Sequence, residues 1–214
     1  FRCVRPWSAV ASGIPAVILL AASVCHGQLA ANSYYDFSGT QGQNGWYHGY
    51  YAASGDGDGY QDFDFQPFQP GVPGGAGDTN PRFGFNGAWD YFNGAGAAQN
   101  PPWTFLAAAD VHPDSQNQPL GELWAIRRYV VQPGDVPASG GDIAVLWRMR
   151  KTNPFGAGVT GKVFVNGAEL NSVAIEANDV VGVARSIHVP GVFPGDVVDL
   201  AYTPVGPSGD VFDG

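Results

Sequence analysis

Between Trp124 and Gly167 the chain reads WAIRRY and then DIAVLWRMRKTNPFGAGVTGKVFVNG. β-branched and aromatic residues come in short runs, glycine and proline punctuate them, and an Asn-Gly pair closes the last run. Such runs suit half-buried strands, and Asn166-Gly167 suits a type I′ hairpin, whose two central residues both need positive φ. Strand-length segments at 123–131, 142–149, 159–165, 168–175, 180–189 and 197–202 recur about every ten residues with turn signals between them, the pattern of a sandwich or barrel. Beyond the N-terminal segment no stretch has the 3.6-residue period of a long amphipathic helix. The expected fold is therefore all-β, a jelly-roll-like antiparallel β-sandwich. Within 142–149, Ile143, Val145, Trp147 and Met149 are predicted to form one inward row, alternating with Ala144, Leu146, Arg148 and Arg150.

The first half is more broken. Residues 34–37 and 45–51 read as strands. Residues 60–65 alternate strictly, with Phe63 and Phe65 on one face and Tyr60, Asp62 and Asp64 on the other. Residues 67–102 are rich in Gly, Pro, Asn and Ala and read as a long irregular excursion with a short strand near 82–85; loops of that length are commonly functional or disordered.

The N-terminal segment reads as a leader. Arg2 and Arg5 precede an apolar run at 14–24, and Cys25, His26 and Gly27 follow it. This is the region order of a secretory signal peptide, with a core too short to span a bilayer. Cleavage is expected after Gly27, with Ala31 as the alternative site, and lipidation of Cys25 is disfavoured by bulky Val24. Phe1 in place of Met implies a leader incomplete at its start. Residues 28–214 would then form a single sandwich domain, secreted or at the cell surface, with no membrane span.

Both cysteines, Cys3 and Cys25, fall in that segment. Disulfides, thiolate metal sites and a cysteine nucleophile are thereby excluded from the mature chain. Loss of Arg2 and Arg5 leaves eight basic against nineteen acidic residues, so the formal charge passes from −9 to −11. That balance argues against nucleic acid and anionic membranes as partners, because phosphate binding needs clustered Lys and Arg. Between Tyr34 and Glu122, Arg82 is the only cation against ten acidic residues. Such a surplus suits a divalent cation or simple solubility.

Four groups of residues suggest chemistry, each with a plainer alternative. Asp56, Asp58, Asp62 and Asp64 could gather oxygen ligands for calcium, although Tyr60, Gln61 and Pro67 occupy positions where an EF-hand needs a ligand, Gly and Glu. The alternative is a polar turn followed by the outer face of a strand. Trp89, Tyr91 and Trp103 lie in or beside the excursion, where rings can stack on a polysaccharide or cell-surface glycan; the alternative is that they fold inward and pin the loop. Arg127 and Arg128 are adjacent in a strand and face opposite sides, so one meets the packed side and needs a carboxylate such as Glu122 or Asp142, or several carbonyls. Asp110, His112 and Glu122 can be drawn as an acid/base set, with Ser115 or Ser139 as nucleophile. No nucleophile elbow supports that set, and no zinc-type spacing involves His48, His112 or His188. His112 before Pro113 also suits a turn.

Several segments resemble a family of exported bacterial β-sandwich modules found in planctomycete-type and PEP-CTERM-type surface proteins. The resembling pieces are DFSGTQGQNGW leading into YHGYY at 36–51, His112-Pro113, WAIRRY at 124–129, Lys151-Thr152, GVTGKVFVNG at 158–167 and Pro194-Gly195-Asp196. The order carries the resemblance, since each piece alone is weak. The chain departs from the pattern at His48, where Tyr is more usual, and at Tyr129, where Trp is. A further strand follows in that family, which implies a truncated C-terminus here. The resemblance implies a non-catalytic glycan- or surface-associated module. A glycoside hydrolase or lyase and a purely structural matrix component are the alternatives.

Overall fold

The computed structural model describes residues 29–69, 82–83, 87–90, 104–114 and 121–211. The expected leader lies outside the described residues. Within them the fold is an antiparallel all-β sandwich, as the strand pattern predicts. Its strands are β1 (Trp46–Ala52), β2 (Gln66–Pro67), β3 (Arg82–Phe83), β4 (Trp89–Asp90), β5 (Phe105–Leu106), β6 (Val111–His112), β7 (Leu123–Val130), β8 (Gly141–Met149), β9 (Val159–Val165), β10 (Ala168–Ile175), β11 (Val183–Val192) and β12 (Val197–Thr203).

One layer is a six-stranded sheet in the order β10-β9-β12-β7-β1-β2. The opposing layer is split. The β8–β11 ribbon covers one part of the inner face, and the small sheet β3-β4-β5-β6 covers another. The alternation of each strand decides what these covers meet. Under the ribbon, Trp147 and Met149, backed by Ile143 and Val145, pack on Trp46, Tyr129, Val163 and Val198. Their neighbours Ala144, Leu146, Arg148 and Arg150 are exposed, so the predicted inward row holds. Under the small sheet, Phe68, Trp89 and Leu106 pack on Ala125. Asn166 and Gly167 close β9 to β10 with φ of 49° and 79°, the positive values the turn requires.

Two expected strands are turns instead. Asn32 organises residues 34–37: its Oδ1 accepts from the amides of Tyr34 and Tyr35 at 3.0 and 3.1 Å, and its own amide donates to Asp36 Oδ2 at 2.7 Å. A local side-chain partner of this kind competes with ladder bonding. Residues 62–64 form a 3₁₀ turn held by a Gln61/Asp64 capping box, in which the Gln61 amide donates to Asp64 Oδ2 at 2.7 Å. Phe63 is consequently 77% exposed, and only Phe65 packs. The excursion also carries more structure than expected, because β3 and β4 within it pair with each other and, through β5, with β6.

His48 is a polar residue in an apolar place. It is 1% exposed on the inner face, opposite Arg127, with Phe37 edge-on at 4.7 Å and Trp89 stacked at 6.2 Å. Neither ring nitrogen has a hydrogen-bond partner among the described residues. Burial, reinforced by the Arg127 charge, lowers its pKa from 6.5 to about 3. The unfolded chain therefore binds the proton more readily throughout that window. Stability is retained above pH 6.5 and falls toward pH 3, by at most about 1.4 kcal/mol per pH unit from this group. Replacing His48 by Phe removes both the orphaned nitrogens and the titration. The variant is expected to gain roughly 1–2 kcal/mol at neutral pH and to show a flatter acid limb. Urea unfolding at two pH values on either side of 6.5 checks this; an unchanged pH slope contradicts it.

Candidate functional site

The split in the covering layer leaves a cleft of about 320 Å³. Residues 109–113 form one wall and 148–153 the other, with Val159 and Tyr202 of the large sheet contributing to the lining. Each wall is held by backbone bonds. The Ala107 amide donates to the Asp110 carbonyl at 2.8 Å and closes the turn into β6, after which Asp114 exchanges two amide bonds with Leu123. On the other side the Lys151 amide donates to the Asp179 carbonyl at 2.9 Å, where the chain leaves β8.

Arg127 ties the first wall to the sheet. Its guanidinium is buried and donates to the carbonyls of Ser33, Ala107 and Ala108. Of the two kinds of partner the sequence allows for a buried guanidinium, a carboxylate or several carbonyls, these bonds are of the second kind. Burial lowers the Arg127 pKa, and Tyr202 and Asp110 pull it partly back. Both of those residues line the cleft, so the buried cation lies just behind it.

The cleft mixes polar and apolar groups. His112 is stacked on Phe105 at 5.7 Å. Burial lowers its pKa, the Asp114 carboxylate opposes this, and the Lys151 ammonium adds to it. The imidazole is thereby neutral at neutral pH. Lys151 is 8% exposed, whereas Asp110, Arg148 and Arg150 are exposed. Burial raises the Tyr202 phenol above its ordinary value, and Arg127 opposes that. The arrangement offers hydrogen-bond donors, one carboxylate and an aromatic ring within one small concavity.

The structure brings Asp110 and His112 together as drawn from sequence, but Glu122 is elsewhere. Its Oε1 accepts the Trp124 indole N–H at 2.5 Å. Ser139 does not line the cleft, and Ser115 lies outside the described residues. Lys151 and Tyr202 join the site without a chemical signal in the sequence; Lys151-Thr152, which carries only the family resemblance, lines the cleft opposite His112-Pro113.

Trp89 corrects the loop-aromatic expectation. It is fully buried, its indole N–H donates to the Ser38 carbonyl at 2.8 Å, and its ring stacks on Phe68 at 6.5 Å. A side chain of that size gains most by burial, and here it presents no face to a sugar. Tyr91 and Trp103 lie outside the described residues.

The four aspartates of the calcium reading are not gathered into one group. Among the described residues no group of three or more His, Cys, Asp or Glu side chains is placed to hold a metal ion. Asp56 accepts from the Tyr51 hydroxyl and from the Asp58 amide, and Asp64 is spent on the Gln61 cap. Asp56 is held below its ordinary pKa by bonding from Asp58 and Tyr51, while Asp58 is held above its own by Asp56. Melting curves with calcium and with a chelator are expected to coincide; a chelator-sensitive transition lost in Asp56→Asn would restore the site.

No family model matches the chain, and no curated protein or solved structure matches it at a significant level.

Proposed function

We propose that this domain is a non-catalytic binding module of an exported, cell-surface-associated protein, and that it takes a saccharide in the cleft between β6 and the end of β8. The observation that carries the reading is the cleft's lining. A ring and an aliphatic side chain, Tyr202 and Val159, share it with hydroxyl-bonding groups on Asp110, His112, Lys151 and Thr152. Its volume is at the lower end for ligand pockets, which suits one or two sugar rings. The export half of the reading rests on the leader pattern at 1–27. Catalysis is disfavoured by composition of the same lining. Among the described residues Asp110 is the one carboxylate of the lining, where most glycosidases need a flanking pair, and no described Ser or Cys lines it.

Affinity electrophoresis through gels containing single polysaccharides tests the reading. Retardation of the wild-type domain by at least one glycan is expected, without release of reducing ends or unsaturated products. Retardation should weaken in His112→Ala. Cleavage of the glycan would overturn the non-catalytic half, and free migration through every gel would overturn the binding half.

A further inference from the structure

Two parts of the molecule rest on one polar pair of the large sheet. His48 on β1 and Arg127 on β7 are directly opposite each other, and both are buried on the inner face. The N-terminal segment meets this pair through Phe37, whose ring lies edge-on to His48 at 4.7 Å and 5.7 Å from the Arg127 guanidinium. It meets it again through the Ser33 carbonyl, which accepts from Arg127 at 3.0 Å. The small sheet meets the pair through Trp89, stacked on His48 at 6.2 Å, and through the Ala107 and Ala108 carbonyls, which accept from Arg127. Segment and small sheet are also tied to each other, since the Trp89 indole donates to the Ser38 carbonyl and Phe37 lies 6.4 Å from Phe83. The β8–β11 ribbon rests on a separate group, Trp46, Tyr129, Val163 and Val198.

The pair is built for one positive charge. Arg127 has three carbonyls and the Phe37 ring around it, whereas neither His48 nitrogen has a partner among the described residues. A proton on His48 would place a second buried cation beside the first, with no acceptor for its N–H groups; burial and Arg127 accordingly lower its pKa from 6.5 to about 3. The nearby carboxylates do not relieve this. Asp36 accepts the Asn32 amide, and Asp90, next to Trp89 on β4, points to the other side of that strand. Residues 66–69 bring no titratable group, Asp110 and Tyr202 act on Arg127, and His112 on β6 is itself disfavoured as a cation by burial. Protonation becomes easy only where His48 reaches water. Opening at this pair therefore binds a proton, and it is favoured about tenfold for each pH unit from 6.5 down toward 3.

We infer that His48 is an acid-sensitive latch: on taking a proton beside Arg127 it releases the 32–38 segment and the small sheet from the large sheet, while the β8–β11 ribbon stays docked. The wall of the cleft at 109–113 belongs to the releasing unit, so opening dismantles the cleft from one side.

Native-state amide exchange of the full chain tests this, measured at about pH 5.5 and about pH 4.5, where carboxylates of ordinary pKa stay largely ionised. Once the intrinsic exchange rate is divided out, the opening constant of 32–38, 87–90 and 104–112 is expected to rise about tenfold between the two. At the lower pH these segments should also open at least roughly tenfold more readily than the ribbon and β9, β10 and β12, because they open without global unfolding. His48→Phe should abolish the rise, and His48→Gln, which cannot take the proton either, serves if the larger ring is not accommodated. His112→Gln should keep the rise, which separates the latch from the other buried histidine of the unit. Three results overturn the inference: an opening constant that does not change with pH, equal opening constants in all elements, or a rise that survives in the His48 variants.

Discussion

Asp199→Ala is expected to destabilise the domain by about 3–5 kcal/mol, because it strands a largely buried guanidinium, that of Arg128, whose side chain is 14% exposed. Asp199 on β12 is fully buried on the outer face of the large sheet, directly opposite Arg128 on β7. The pair is two-pronged, with Arg128 Nε and Nη2 each 2.8 Å from a carboxylate oxygen. Tyr60 donates to Asp199 Oδ2 at 2.7 Å and accepts from Arg128 at 3.1 Å, and the Asp62 carbonyl accepts from Arg128 at 2.6 Å. The guanidinium also lies 4.2 Å above the Phe65 ring. Burial works against the Arg128 charge, and Asp199 more than offsets it. One ion pair thus fastens the whole 60–65 segment across the sheet. The double variant Arg128→Met with Asp199→Leu removes both charges and should recover much of the loss, since apolar replacement of a buried pair is often near neutral. Urea unfolding of the singles and the double measures the coupling. A single-variant loss below about 1 kcal/mol, the figure for exposed pairs, contradicts this account.

Trp147→Ala is expected to cost about 3–5 kcal/mol, the cost of removing a well-packed large aromatic. Trp147 is 6% exposed at the centre of the ribbon's inward row. Gly161 on β9 makes room for it: a Cβ there would sit 2.8 Å from the indole ring and 2.6 Å from Met149 Sδ. The indole N–H has no acceptor among the described residues, so the ring's value lies in its area. Trp147→Phe should consequently lose less than half as much as Trp147→Ala. An unchanged melting temperature in Trp147→Ala would mean that the row faces outward.

These two sites differ in how far they can be read from sequence. The Trp147 row needs only the period of a strand, and β8 obeys it residue by residue. The Arg128–Asp199 pair joins positions far apart in the chain, and no local pattern links them. Local chemistry also misleads where it is strongest. Residues 60–65 alternate as a strand would, but Gln61 and Asp64 cap a 3₁₀ turn, and Tyr60 then inserts beside Tyr51 and Phe164. Asn32 does the same to residues 34–37. Trp89 sits among Gly, Asn and Asp, which reads as an exposed loop, although its own size drives it into the core. The cleft was legible only in halves. Its walls come from 109–113 and 148–153, and the gap between them exists because two separate small sheets share one large one.

The proposed binding site is this gap. Amide chemical-shift mapping tests it most directly, with the domain titrated by any oligosaccharide that retards it. The shifts are expected to concentrate on 109–113, 148–153 and Tyr202. Shifts confined to the outer face around Asp56 to Asp64, with the cleft residues unmoved, would contradict it.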